Sequence, residues 1–334
     1  MKRIGHLFEA AFTPESIYAG YAAASRGKHH TRACFEFERR LAYHLDMLRE
    51  ELTSGRYRPR PYFRFVVKEP KERVIYAPAF RDLVVQHAIY RVILPIFDPT
   101  FIAASFACRV GYGTHRAADY AQQALKASPR DSYTLKLDAR KFFYSIDRAV
   151  LRTLIERKIK DRRFIGVMMQ FADYGSPVGI PIGNLLSQIY ALIYLNPVDH
   201  FVKRELGVKR YCRYVDDLML FGLTREQCVE YRERIAAFMR DRLGLELSRT
   251  TIATVQRGVN FVGYRTWARK RFVRKHSLYT LRRSVARGKL DSVVSVLGHA
   301  RRTHSLRHMI ATVRRRTPAM YRALPPAYRR MTCT

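Results

Sequence analysis

Asp216 and Asp217 stand side by side between two apolar runs, Tyr211-Cys-Arg-Tyr-Val215 and Leu218-Met-Leu-Phe221. The pattern predicts two strands joined by the acidic pair. Two-residue hairpin loops favour Asn-Gly or Asp-Gly, because their backbone needs positive φ. Asp-Asp offers no glycine and sets two negative charges together. A divalent cation would offset that repulsion. Mg²⁺ suits best, since it takes hard oxygen ligands, commonly one or two carboxylates plus substrate phosphates. Asp138 ends another predicted strand, in which Tyr133, Leu135 and Leu137 alternate with Thr134, Lys136 and Asp138. Taken singly, these are equally a surface turn and a strand end. Together they suit two-metal phosphoryl transfer, which stabilises both the attacking and the leaving oxygen.

The elements around these acids are mixed. Residues 1–60 read as helices, with Phe35, Leu41, Leu45, Leu48 and Leu52 on one face and Ser54-Gly55 as the break. Residues 62–68 and 73–76 read as strands about a charged turn, Glu69-Pro70-Lys71-Glu72. Arg81 to Phe97 is a mostly apolar helix that ends near Pro95 and Pro99. Asp147 is a candidate N-cap for a helix carrying Val150, Leu151, Leu154 and Ile155. The loop Gly179-Ile-Pro-Ile-Gly-Asn184 leads into a helix, Glu226 to Leu243 is another, and residues 259–264 form a further strand. The class is α+β, with hairpins and interleaved helices rather than regular βαβ units.

Charge narrows the partners. The 334 residues carry 62 Lys+Arg against 28 Asp+Glu, a formal net charge of +34. Such self-repulsion needs a counter-charge, a polyphosphate backbone or an acidic protein surface. From Arg265 onward there are 19 Lys/Arg and one acid, Asp291. Leu278, Leu281, Val285, Val293, Val294, Val296 and Leu297 recur there at helical spacing, which predicts folded helices with a basic face. The five cysteines (34, 108, 212, 228 and 333) include no Cys-x-x-Cys pair, which fits a reducing cytosol and no zinc knuckle. No apolar run reaches membrane-spanning length, and Glu9 interrupts any signal-peptide core. No Lys-Ser/Thr follows Gly183, so a P-loop is excluded. His299, His304 and His308 have no Cys or carboxylate beside them, which points to phosphate rather than metal. Cys212 reads as strand packing.

Tyr214-Val-Asp-Asp217 resembles the catalytic hairpin of reverse transcriptases, and Leu135-Lys-Leu-Asp-Ala-Arg-Lys-Phe-Phe-Tyr-Ser-Ile-Asp147 resembles their first catalytic motif. The resemblance covers roughly residues 60–265 in the expected order. It implies a right-hand polymerase: an N-terminal helical extension (1–60), fingers interleaved with palm (61–130), a palm on an antiparallel sheet (131–264) and a basic helical thumb (265–334). It implies that Asp138, Asp216 and Asp217, with the Ala139 carbonyl, hold two Mg²⁺ ions, Mn²⁺ being possible. Phe143 matches the steric gate that rejects a ribose 2′-OH. Lys68 and Arg73 would contact the dNTP triphosphate. Arg81 and Arg109 match motifs along template or nucleotide. Gly263 and Tyr264 fall in a stretch that resembles the primer grip.

The stretch Gly179-Ile-Pro-Ile-Gly-Asn-Leu-Leu-Ser-Gln188 is more particular. Most reverse transcriptases carry Gln before the second Gly and Pro after the Ser; here those positions are Ile182 and Gln188, flanking Gly183. This resembles the enzymes of diversity-generating retroelements, as do Val84-Val-Gln-His87 and Cys108-Arg109 with Gly113-Thr-His115. The resemblance implies error-prone cDNA synthesis opposite template adenines on a template-repeat RNA. It also implies a template–primer duplex as substrate and a small basic accessory oligomer as partner. Glu9, Glu15, Glu36, Glu38, Asp46, Glu50 and Glu51 are the candidate docking acids. A bacterial or phage-encoded cytoplasmic enzyme is expected, with no membrane partner and no length left for a ribonuclease H domain. The family's usual lysine after Gly-Leu-x-Leu has no match; Arg249 is the nearest cation. The alternatives are an antiphage-defence or other unclassified bacterial reverse transcriptase, and a catalytically silent nucleic-acid-binding protein.

Overall fold

The computed structural model describes residues 3–68 and 72–330; Glu69, Pro70, Lys71 and Cys333 lie outside the described residues. The chain forms two compact units. The first comprises Met1–Ala103, Asp138–Gly207 and Glu233–Arg249; the second comprises Ala104–Leu137, Val208–Arg232 and Thr250–Thr334.

The first unit opens with helices α1 (Leu7–Ala11), α2 (Pro14–Ser25), α3 (Arg32–Glu38) and α4 (Leu41–Thr53). The single apolar face expected from Phe35 to Leu52 is broken at Arg39-Arg40: Leu48 and Leu52 are buried on α4, while Phe35 on α3 is 57% exposed. An antiparallel hairpin follows, β1 (Phe63–Val67) with β2 (Arg73–Ala77), in the register Phe63↔Ala77 to Val67↔Arg73. Helix α5 (Phe80–Phe97) packs along α2 and carries Pro95 within its last turn. Proline has no N–H for the carbonyl four residues back, so the last turn loses one helical bond.

Buried Asp82 fixes the chain between α4 and α5. It accepts from the Tyr57 hydroxyl at 2.7 Å and from the Arg60 backbone N–H at 2.9 Å. Burial raises the Asp82 pKa, opposed by those two donors and by Arg81.

The second unit starts with α6 (Thr114–Lys126) and β3 (Tyr133–Ala139). β3 passes into the first unit at Asp138. There the chain forms α7 (Phe142–Ser145), α8 (Arg148–Glu156), α9 (Arg162–Gln170) and α10 (Leu185–His200). Asp147 caps α8 as expected, accepting from the backbone N–H groups of Ala149 and Val150. The hairpin β4 (Arg210–Tyr214) with β5 (Asp217–Leu223) lies in the second unit and α11 (Arg225–Leu243) leads out of it. β6 (Leu247–Thr254) closes a four-stranded sheet of order β4-β5-β3-β6. The stretch 259–264, expected as one strand, is instead two: β7 (Val259–Phe261) and β8 (Tyr264–Thr266) pair in the register Phe261↔Tyr264. The two turn residues, Val262 (φ 43°) and Gly263 (φ 88°), both adopt positive φ, the requirement of a tight hairpin. β9 (Arg271–Val273) completes this second, three-stranded sheet.

The basic region is helical from Lys275: α12 (Lys275–Ala286), α13 (Leu290–Ala300), α14 (Leu306–Arg316), α15 (Pro318–Ala323) and α16 (Pro326–Arg329). The apolar residues singled out by spacing make its core, with Leu281, Val285, Val293 and Leu297 buried and Leu278, Val294 and Val296 packed against them. Buried Arg271 ties the three-stranded sheet to α6, donating to Asp119 at 2.8 Å, the Ala118 carbonyl at 2.9 Å and Gln122 at 2.8 Å.

Tyr57→Phe removes one donor from the buried Asp82 carboxylate and keeps the ring packing. It is expected to lower stability by about 1–3 kcal/mol, the cost of an under-satisfied buried acceptor, read from urea unfolding midpoints.

Candidate active site

In the second unit, Asp217 is the first residue of β5, not a loop residue. The register Tyr214↔Asp217 makes Val215 and Asp216 the turn. Positive φ is met without glycine, because Val215 adopts φ 55°. A β-branched residue pays about 1–2 kcal/mol there. Its carbonyl accepts from the Arg213 Nη1 at 2.9 Å. Arg213 is fully buried, and its backbone is clamped as well: its N–H donates to the Ala104 carbonyl at 3.0 Å and its carbonyl accepts from Phe106 N–H at 3.0 Å. Lys136 on β3 reaches Asp217 at 2.9 Å and the Asn260 carbonyl at 3.4 Å. Tyr214 meets Phe261 edge to face, and burial raises its hydroxyl pKa.

In the first unit, the Ser248 hydroxyl donates to the Asp138 carboxylate, and lies 3.2 Å from the Asp138 carbonyl. The next residue, Ala139, is buried at the end of β3. Half-buried Phe143 is held through its backbone, its carbonyl accepting from Ile180 N–H at 2.8 Å. Gly179 (φ 90°) permits this approach, since a Cβ there would lie 2.9 Å from the Phe143 carbonyl oxygen. The Ile182 carbonyl accepts from Tyr76 N–H on β2 at 2.7 Å. Gly183 (φ 103°) is equally constrained, as a Cβ would come within 2.6 Å of Ile75. Phe143, Ile182, Gly183 and the strand that begins at Arg73 are therefore gathered by one loop. Gln188 lies exposed on α10, whose N-terminus is capped by buried Asn184 and by the Gln86 side chain, which accepts from Leu185 N–H at 3.1 Å. Lys68 and Arg73 flank the exposed end of the β1–β2 hairpin.

The other expected contact residues have partners within their own units. Arg81 pairs with Glu51, lies 3.7 Å from Asp82, and covers the Tyr57 ring. Arg109 stacks over Tyr112 and donates to the Ser105 carbonyl at 3.2 Å. Tyr264 is fully buried; its hydroxyl donates to the His299 carbonyl at 2.7 Å and its ring stacks on His299 at 4.3 Å. Burial pushes the Tyr264 hydroxyl up to about 12 and lowers the His299 pKa, which keeps both neutral near pH 7. Gly263 packs on the same imidazole, since a Cβ there would lie 3.0 Å from it.

Reading by residue type missed Arg213, Lys136 and Ser248. The available signal was a lone arginine inside an apolar strand two residues before the turn, a position that needs a buried partner.

Asp216 and Asp217 in the second unit, and Asp138 with the Ala139 carbonyl in the first, each offer hard oxygens of the kind Mg²⁺ takes. Lys136 and Ser248 orient two of these carboxylates. The pattern that defines the family "Reverse transcriptase (RNA-dependent DNA polymerase)" matches residues 66–266. The chain belongs to the reverse transcriptase family. The matched region encodes an enzyme, an RNA-directed DNA polymerase. Protein YkfC of Escherichia coli (strain K12) is 26% identical over 287 residues, 72% of this chain and 74% of that protein. Group II intron-encoded protein LtrA of Lactococcus lactis subsp. cremoris is 23% identical over 291 residues, 64% of this chain. This reverse transcriptase spans about half of LtrA, 48%. A solved telomerase from Candida albicans, in complex with a TWJ fragment of telomeric RNA, has a TM-score of 0.50 and 13% identity. It covers 80% of this chain and 55% of its own, and the likeness places the fold with right-hand polymerases. Among the described residues, no helix is long and apolar enough to cross a membrane.

Arg213 holds the turn on which Asp216 sits. Arg213→Met is expected to lower kcat by about 100-fold, the effect of a reacting group displaced by about 1 Å, with KM for dNTP little changed. Val215→Gly in the same chain relaxes the turn and restores part of the loss. Wild-type kcat in Arg213→Met would remove the assignment.

Proposed function

We propose that the chain copies RNA into DNA as an error-prone reverse transcriptase of the diversity-generating type. The observation that carries this reading is Ile182 in place of a glutamine, with Gly183 and Gln188 completing the pattern. Its support is chemical. Selectivity that rests on buried polar pairing is strong, whereas an aliphatic surface discriminates weakly by shape.

Asp138 and Asp216, with Asp217 and the Ala139 carbonyl, hold Mg²⁺ in this proposal; the order β4-β5-β3-β6, with β5 beside β3, supports it. Bound Mg²⁺ supplies charge stabilisation for the attacking and leaving oxygens, and Mn²⁺ suits the same donors. Asp217, held by Lys136, presents its carboxylate in a fixed orientation. Phe143 excludes a 2′-OH by its ring. Arg73 and Lys68 bind the triphosphate, the guanidinium by a two-point contact. The helices from Lys275 track duplex phosphates without reading sequence; Arg307, Arg314, Arg315 and Arg316 are exposed on α14. Arg109 lies along template or nucleotide, and the Val262-Gly263 turn lies along the primer. A small basic accessory oligomer docks on the N-terminal helices, where Glu9, Glu15 and Asp46 are exposed. Glu50 and Glu51 are weaker candidates, since they pair with Arg56 and Arg81.

Primer extension on RNA with Mg²⁺ and dNTPs tests the carboxylates. Asp216→Ala is expected to lose at least about 10³-fold in rate, several kcal/mol of charge stabilisation. Equal activity, or none in either protein, overturns the assignment; the latter leaves a nucleic-acid binder. Sequencing cDNA from one RNA template tests the fidelity reading. Errors are expected to concentrate at template adenines and to fall by about tenfold in Ile182→Gln. Equal error rates at adenines leave an ordinary reverse transcriptase, the reading that likeness to LtrA favours.

A further inference from the structure

The polymerase motifs do not account for a group of side chains on the N-terminal helices. Tyr21 on α2, His29 in the following turn, and Cys34 and Glu38 on α3 converge on one point. The Glu38 Oε1 lies 2.8 Å from the Tyr21 hydroxyl, 2.7 Å from His29 Nδ1 and 3.4 Å from Cys34 Sγ. Ligand atoms of His29, Cys34 and Glu38 all lie within 4.8 Å of one another.

We propose that His29, Cys34 and Glu38, with the Tyr21 hydroxyl as fourth donor, form a Zn²⁺ site that shares no residue with the polymerase motifs. The Tyr21 hydroxyl, the His29 imidazole and the Cys34 thiol all meet one carboxylate oxygen of Glu38. A cation at the point of convergence would use all four groups. It accepts imidazole, thiolate, carboxylate and phenol oxygen together, and binding releases the Cys34 thiol proton to solvent. Ligands about 2.0–2.3 Å from a tetrahedral Zn²⁺ stand well over 3 Å apart, so a small opening of the His29–Glu38 contact admits the ion. The spacing supports this geometry, since Cys34 and Glu38 are i and i+4 on one helix face. The donor set selects the metal: a thiolate with an imidazole suits Zn²⁺, and Mg²⁺ takes neither readily. Cys34 is fully buried, and the His29 side chain is 62% exposed, which leaves an entry path on one side. Closing the ring would staple the turn at residues 26–31 between α2 and α3.

The full-length protein, stripped with chelator and returned to Mg²⁺ buffer, is titrated with Co²⁺ and then Zn²⁺. One equivalent of Co²⁺ is expected to give a thiolate-to-cobalt charge-transfer band that Zn²⁺ displaces. Cys34→Ser is expected to abolish the band, and Asp216→Ala to keep it. His29→Ala, an exposed change that leaves the buried packing in place, is expected to weaken Co²⁺ binding by about tenfold or more. No band in the wild type, a band that survives Cys34→Ser, or unchanged affinity in His29→Ala overturns the proposal. None of these readouts depends on polymerase activity.

Discussion

A left-handed backbone at Val215 is the constraint on which the β4–β5 hairpin depends. Strands β4 and β5 pair up to Tyr214↔Asp217, so only Val215 and Asp216 are left to reverse the chain. Glycine there would relax the turn but leave it more freedom to lose on folding. Valine makes the conformation costly, and the buried Arg213 guanidinium holds the Val215 carbonyl in place. A strained turn held by a buried cation has one geometry, and a carboxylate on it has one direction. Strain of this kind persists only where its surroundings over-determine it. Here they include the backbone clamps of Arg213 to Ala104 and Phe106.

The same economy governs the scarce acids. Asp82 satisfies Tyr57 and a backbone N–H, Asp161 accepts from Phe8 and Phe164, and Asp119 holds both Arg271 and Arg302. These three acids anchor backbone and cations of their own chain. Self-repulsion among the excess Lys and Arg falls when a polyanion binds. On α14 the division is clear along one helix: Met309, Ile310 and Val313 are buried, and Arg307 and Arg314–Arg316 are exposed.

Periodicity carried most of the element order in the sequence, because strand alternation and helical spacing both report burial directly. The Asp147 cap and the apolar face of α12 and α13 were readable for that reason. Turn residues were not. Val215 and Val262 carry positive φ that their side chains disfavour, so local propensity pointed to continuous strand at Val262 and to a turn one residue late, at Asp216-Asp217, after Val215. Arg81 and Tyr264 each have a long-range partner, Glu51 and His299, that motif position did not announce. Such partners are separated by tens of residues, and no local pattern encodes them. The acidic pair Asp216-Asp217 was conspicuous for the opposite reason: two adjacent carboxylates without a glycine violate local turn preference.

Ile182 illustrates how a fold can leave specificity open to change. The loop is fastened to β2 through the Ile182 carbonyl, and to the close approach at Gly183 through the absence of a Cβ. Neither contact uses the side chain of residue 182. Amide or aliphatic groups at that position therefore leave the hairpin attached, and alter only the half-buried surface that the side chain presents. The neighbouring glycines cannot vary in this way, since Gly179 and Gly183 combine positive φ with contacts under 3 Å to any added Cβ. Rigid backbone anchoring beside a side-chain position that takes no part in it lets residue 182 vary while the loop stays fastened to β2.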